Sequence, residues 1–151
     1  MTTFELGRTF DVVTCLFSAI GYAQTVDRLD AAVSTMARHL VPGGVLVVEP
    51  FVKPDEWVVG RVAVETPVDD GRRALVRMVT SDRVDDLALL DLHYLSGRDA
   101  EVEYSHEHLE IGLFTFEQYT AAFETAGLEE ITVDTEGLIG RGLVTGVRPE
   151  R

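Results

Sequence analysis

The sequence has few of the residues that a disulfide-rich, nucleic-acid-binding or membrane protein needs. Its one cysteine, Cys15, excludes an intrachain disulfide framework and a cysteine-based metal site. Lysine and arginine number 13 against 26 acidic residues, and the net charge of −13 argues against nucleic acid and anionic membranes as partners. No apolar run reaches the length of a membrane span, and the N-terminus lacks the features of a signal peptide. We therefore expect a cytoplasmic protein.

The composition favours an ordered domain. The chain has 151 residues, 46% of them hydrophobic, which is enough to form a core despite the net charge. This length predicts that residues 1–151 form a single domain. Cys15 lies inside an apolar run, so we expect a small buried side chain there.

The first fifty residues predict a strand, a helix and a second strand. The apolar run Asp11–Phe17 is typical of a parallel strand that is covered on both faces. Thr25 or Asp27 can cap the helix that follows, whose apolar residues recur at helical spacing. Pro42–Gly44 is predicted to end the helix and lead into a strand at Val45–Val48. Such a unit predicts adjacent parallel strands with a right-handed crossover.

The middle of the chain predicts an antiparallel insertion at about residues 52–113. After an irregular stretch, three strand-like runs follow at Arg73–Ser81, Ala88–Leu95 and Val102–Phe114, separated by polar turns. Beyond them, Thr115 and Gly127 delimit a predicted helix. The last two predicted strands are 130–134 and 142–147, expected as a hairpin at one end of the sheet.

Several short segments together resemble a known family. They are FSAIGY at 17–22, PGGVLVVEP at 42–50, HYL at 93–95, LFT at 113–115, QY at 118–119, AGL at 126–128 and GRGL at 140–143. The first two are similar to class I S-adenosylmethionine-dependent methyltransferases in general. The full set resembles the C-terminal two-thirds of the dTDP-amino-sugar N,N-dimethyltransferases of antibiotic biosynthesis.

The resemblance implies a fold class, a cofactor and a substrate. The fold would be α/β, a partial Rossmann-like methyltransferase sheet with an antiparallel three-strand insertion. The cofactor would be S-adenosyl-L-methionine, and the acceptor a nucleotide-linked amino sugar or another small amine. The strand that usually pairs beside Asp11–Phe17 lies in the part of the family that precedes the matched segment. An unpaired edge there predicts a homo-oligomer such as a dimer.

The resemblance also implies residues for the cofactor and the chemistry. Met1 falls on a methionine that contacts adenine in the family, and Leu16 on a residue whose backbone carbonyl receives the amino group of the cofactor. Tyr22 falls where the family places an aromatic or imidazole side chain near the acceptor. A tyrosine is a poor base at neutral pH but a good orienting group, and packing of its loop is the alternative role.

Three further residues are candidates for the substrate. Phe51 can stack on a sugar or thymine ring, with core packing as the alternative. Arg141 lies between two glycines, and Arg77 falls where relatives carry an arginine; a guanidinium suits a diphosphate. For each arginine the alternative is a surface salt bridge. His106 and His108 are spaced to share a strand face, but no metal site is predicted.

Three functions remain open at this stage. The first is the C-terminal portion of an N-methyltransferase for a nucleotide-linked amino sugar. The others are a half-enzyme completed by a separate N-terminal chain and a non-catalytic homologue that acts by dimerisation. In the family, the glycine loop that holds the cofactor precedes the matched segment. We therefore expect the chain alone to bind the cofactor weakly or not at all.

Overall fold

The computed structural model describes residues 1–150, except the side chains of residues 67–69. The helices are α1 Val26–Arg38 and α2 Phe116–Thr125, with a 3-10 turn at Ala19–Ala23. The strands are β1 Phe10–Cys15, β2 Leu40–Val48, β3 Val62–Asp69, β4 Arg73–Val84, β5 Leu87–Arg98, β6 Glu101–Gly112, β7 Glu129–Asp134 and β8 Leu143–Val147. None of the described helices is both long enough and apolar enough to cross a membrane.

The chain divides into two compact units. The first comprises Met1–Glu56 and the chain from Gly112 onward, and the second is Trp57–Ile111. The second unit lies within the insertion predicted at about 52–113. Both helices and the sheet β1-β2-β8-β7 belong to the first unit, and the sheet β3-β4-β5-β6 is the second.

The sheet of the first unit confirms the predicted parallel pair. β1 and β2 are parallel neighbours, with Val13 opposite Leu46 and Cys15 opposite Val48. β8 pairs antiparallel with both β2 and β7, so the last two strands form the expected hairpin at one end of the sheet. Because β1 and β2 run in the same direction, their carboxyl ends lie at one edge, where α/β proteins collect their ligands.

β1 differs from its prediction in burial and in length. In the described sheet it is the edge strand, and Val12 is 53% exposed, so the prediction of cover on both faces is wrong. The strand also ends at Cys15 rather than Phe17. Phe17 and Ser18 adopt φ values of 54° and 57°, which do not continue a strand.

The segment Pro42–Gly44 does not end α1, contrary to the prediction. α1 ends at Arg38, and β2 already begins at Leu40. The three residues lie inside β2, where its register with β1 shifts. A Cβ on Gly44 would lie 2.9 Å from the carbonyl oxygen of Val41 and 3.1 Å from that of Asp11. The glycine is therefore needed for close backbone packing against β1.

The core of the first unit lies between the two helices and the sheet. Thr25 caps α1, since its hydroxyl accepts the Arg28 N–H, and Thr115 forms a capping box with Gln118 on α2. The fully buried apolar side chains include Ile20, Leu29, Val33, Leu40, Leu46, Val48, Phe123 and Val144. Cys15 is buried, as predicted, and burial raises the pKa of its thiol. This packing fixes the carboxyl ends of β1 and β2.

The second unit has four strands, so the prediction of three is corrected. β4 pairs antiparallel with β5 along their full lengths, which confirms that part of the predicted meander. The missed strand is β3, which pairs antiparallel with β4 at an edge of the sheet. Its valines Val62 and Val64 are 62% and 60% exposed, so no buried apolar run marks the strand in the sequence.

Candidate functional site

The loops that follow β1 and β2 lie at the shared carboxyl edge of these strands. The first runs from Leu16 through the 3-10 turn, and the second is Glu49–Phe51. Phe17, Ser18 and Gln24 in the first loop have positive φ values. Such conformations cost of order 1–3 kcal/mol each and concentrate where a protein holds ligands. Three of the seven described non-glycine residues with positive φ thus lie in this loop, and together with the shared carboxyl edge of β1 and β2 they make it the candidate site.

Arg141 is anchored at this edge by a serine and a phenylalanine. Its Nη1 donates to Oγ of Ser18 at 2.8 Å, and Ser18 Oγ donates to the carbonyl oxygen of Pro50 at 2.8 Å. The guanidinium carbon lies 5.3 Å from the ring centroid of Phe51, within cation–π range. The structure thus brings together two predicted substrate residues, Phe51 and Arg141, with Ser18 between the loops.

The charge of Arg141 is not neutralised by a carboxylate of the described residues. This is notable in a chain with 26 acidic residues. Gly140 and Gly142 flank it with φ values of 75° and 92°, which glycine adopts without strain. A guanidinium has five N–H donors, so one bond to Ser18 leaves donors for an anionic ligand.

Glu49 is the buried acidic residue of the site. Its side chain and backbone are only 3% exposed. One carboxylate oxygen accepts the backbone N–H of Phe17, and its own N–H donates to the carbonyl oxygen of Cys15 at 2.8 Å. Glu49 thereby connects the end of β2 to the strained turn after β1.

The two predicted cofactor residues lie towards the same end of β1. The carbonyl oxygen of Leu16 accepts the N–H of Ala19 at 3.2 Å, and its second lone pair can accept a ligand ammonium group. The α-amino group of Met1 is close enough to Cys15 for its charge to oppose, in part, the burial that raises the pKa of that thiol. The structure thus places both residues near the carboxyl end of β1.

Tyr22 and Arg77 occupy different surroundings. Tyr22 lies in the 3-10 turn of the first loop, and the residue is 49% exposed. Arg77 belongs to the second unit, where it forms an ion pair with Glu65 across β3 and β4. The hydrogen bond to Glu65 raises the pKa of Arg77 further. Of the two predicted substrate arginines, Arg77 is thus paired with a carboxylate, and Arg141 has no such partner among the described residues.

Two site residues were not predicted as such from the sequence. Ser18 stands in a segment that was recognised, but its partner Arg141 is 123 positions away. Glu49 could have been found from the sequence. It directly follows the buried run Val45–Val48, and a buried acidic side chain there needs hydrogen-bond partners.

Two histidines of the second unit, His106 and His108, share one carboxylate. Asp91 Oδ1 lies 3.1 Å from Nε2 of His106 and 2.8 Å from Nδ1 of His108. Among the described residues, no three His, Cys, Asp or Glu side chains are arranged to hold a metal ion. The geometry favours a proton-dependent ion pair on the exposed sheet face.

Asp91→Asn is expected to lower the pKa of His108. The hydrogen bond that Nδ1 of His108 donates to the Asp91 carboxylate raises the pKa of His108 above its ordinary 6.5 and lowers the pKa of Asp91 below its ordinary 3.8. The pair thus contributes stability that is lost as pH rises through the folded pKa of His108. It is also lost as pH falls through the folded pKa of Asp91. NMR titration of the imidazole tests this, and an unchanged midpoint in the variant would contradict it.

The comparisons with known proteins first define the class of fold. The solved sugar N-methyltransferase KedS8 from Streptoalloteichus superposes with a TM-score of 0.89 at 39% identity, over 99% of this chain and 60% of that one. The S-adenosylmethionine-bound amino pentose methyltransferase CalS10 from Micromonospora echinaspora gives 0.86 at 38% identity, over 97% and 61%. The chain therefore has the α/β, partial Rossmann-like fold of these methyltransferases, as predicted. No family model matches the chain.

The sequence relatives narrow the comparison to one group of methyltransferases. The dTDP-3-amino-3,6-dideoxy-alpha-D-glucopyranose N,N-dimethyltransferase of Streptomyces fradiae is 41% identical over 148 residues, 97% of this chain. The chain is thus a homologue of the dTDP-amino-sugar N,N-dimethyltransferases, which confirms the predicted resemblance. It spans 57% of the length of that relative.

Proposed function

We propose that this chain forms part of an S-adenosylmethionine-dependent N-methyltransferase that acts on a nucleotide-linked amino sugar. The observation that carries the proposal is Arg141, a guanidinium without a carboxylate partner among the described residues, anchored by Ser18 above Phe51. This arrangement suits a diphosphate next to an aromatic or sugar ring. The relatives, whose names specify dTDP-linked amino sugars, support the same substrate class.

In this proposal the predicted residues bind either the cofactor or the acceptor. The cofactor supplies an electrophilic methyl group. The Leu16 carbonyl and Met1 hold its two ends, and Arg141 and Phe51 bind the nucleotide end of the acceptor. The hydroxyl of Tyr22, a residue that is 49% exposed, orients the acceptor amine, which must be neutral to attack. Because such a displacement depends on alignment, these residues contribute mainly by positioning. A cytoplasmic homo-oligomer, as expected from the sequence, is part of the proposal.

A second candidate function is a module that pairs with another chain through β1. β1 is the edge of the described sheet, and Val12 on it is 53% exposed. An exposed apolar edge can add a strand from a second copy or from a separate chain. Sedimentation of the chain over a range of concentrations tests self-association of this kind.

The test of the main proposal is binding and turnover by the full chain. Calorimetry with S-adenosylmethionine and with a dTDP-amino sugar measures each ligand, and transfer of a labelled methyl group measures the reaction. Binding of the nucleotide sugar and methylation of its amine support the proposal. If no heat of binding is detected with either ligand, a ligand-binding role of the chain is refuted and the pairing module is favoured.

A further inference from the structure

The turn after β1 is held by the end of β2. Phe17 has a φ of 54°, which is uncommon for a bulky residue, and Ser18 follows with 57°. The Phe17 side chain is 87% exposed, so packing of its ring does not fix this conformation. Within the turn, the Ala19 N–H donates to the Leu16 carbonyl at 3.2 Å. Two further bonds tie the turn to consecutive residues of the other loop: the carboxylate of Glu49 accepts the Phe17 N–H, and the Pro50 carbonyl accepts the Ser18 hydroxyl.

Glu49 has the properties that such a task requires. A buried carboxylate is retained only where hydrogen bonds compensate its desolvation, and an N–H donated to an ionised group is roughly twice as strong as a neutral bond. Its backbone is fixed as well, since its N–H donates to Cys15 at 2.8 Å. The carboxylate is therefore a rigid acceptor aimed at the residue directly after Leu16.

We propose that Glu49 is a positioning residue of the methyl-transfer site. It holds Phe17 and Ser18 in the left-handed conformation, and this directs the Leu16 carbonyl and the exposed Phe17 ring towards the methyl donor. The same turn places Ser18 for its bond to Arg141, so Glu49 acts on both ligands through the backbone. The ligand part of the inference rests on the proposed function, whereas the conformation of the turn does not.

The experiment compares the turn and the ligand affinity in two variants of the full chain. Glu49→Leu removes the acceptor, and Glu49→Gln keeps one oxygen that can accept. Glu56→Gln is the control, because Glu56 is an exposed acid of the same unit. Amide exchange and the Cα chemical shift of Phe17, read by NMR, report the turn. Calorimetry with S-adenosylhomocysteine reports the donor site, and thermal unfolding reports stability.

Glu49→Leu is expected to speed exchange of the Phe17 amide about 10-fold or more, because a hydrogen bond to a charged group is lost. Exchange at Val13, inside β1, is expected to stay unchanged. Affinity for S-adenosylhomocysteine is expected to fall by a similar factor, with a smaller loss in Glu49→Gln and none in Glu56→Gln. If Glu49→Leu does not fold, Phe17 amide exchange and ligand affinity in Glu49→Gln test the inference, with smaller expected changes in both.

Two results would overturn the inference. One is a Phe17 amide as protected in the Glu49 variants as in the wild type. The other is a fall in unfolding temperature with unchanged affinity, which would make Glu49 only a structural residue. If the wild type gives no heat with S-adenosylhomocysteine, this agrees with the weak cofactor binding expected of the chain alone. The exchange rate of the Phe17 amide in the two Glu49 variants then decides whether Glu49 holds the turn.

Discussion

Arg141→Ala is expected to weaken binding of a dTDP-linked amino sugar about 10- to 100-fold, measured by calorimetry. A hydrogen bond to a charged group contributes about 1.5–3 kcal/mol, which corresponds to that range. The guanidinium is held over Phe51 by Ser18, so it is ordered before the ligand arrives. Pre-ordering limits the entropy lost on binding and makes the full effect of the bond observable.

Two controls separate recognition by Arg141 from bulk charge. Arg8 also lies over a phenylalanine, 4.7 Å from the ring centroid of Phe10, but at the amino end of β1. Arg8→Ala is expected to leave binding unchanged. Arg141→Lys keeps the charge without the planar fork and is expected to bind with intermediate affinity. Equal losses in Arg8→Ala and Arg141→Ala would contradict a specific site.

Phe123→Ala is expected to reduce the free energy of unfolding by about 3–5 kcal/mol. Phe123 is fully buried on α2. Its ring lies so close to β8 that a Cβ on Gly146 would be 2.7 Å from its Cδ1 atom. Removing the ring leaves a cavity between helix and sheet that neighbouring side chains fill only in part. Since whole domains are stable by about 5–15 kcal/mol, this is a large fraction of the total.

Phe17→Ala is the matched control for this loss of stability. It deletes the same ring from a side chain that is 87% exposed, and the expected change is within about 0.5 kcal/mol. Urea unfolding followed by circular dichroism measures both variants. Similar losses at the two positions would show that the core is not organised around Phe123.

The sequence predicted those parts of the fold that local patterns determine. The parallel pair β1–β2 followed from two apolar runs on either side of an amphipathic helix, and the cap Thr115 followed from side-chain chemistry. For α1 the sequence left Thr25 and Asp27 as alternatives, and the structure has Thr25. Pro42–Gly44 was misassigned because proline and glycines mark a turn and a close backbone approach equally well. Only the contact of Gly44 with Asp11 distinguishes the two.

The site was predicted in part. Phe51 and Arg141 were named for their side-chain chemistry within segments that resemble the family, and the structure brings the two side chains together. The bond between Ser18 and Arg141 joins residues 123 positions apart, and no local pattern encodes such a pair. The hydrogen bond of Glu49 to Phe17 depends on a left-handed backbone conformation, which a phenylalanine in the sequence does not signal.

The most direct test of the account is a map of where the nucleotide sugar binds. Titrating the labelled chain with a dTDP-linked amino sugar and following its amide and side-chain NMR signals locates the contact. We predict the largest shifts at Ser18, Tyr22, Phe51 and Arg141, at the carboxyl edge of β1 and β2. Shifts confined to Trp57–Ile111, or none at saturating ligand, would contradict the proposed site.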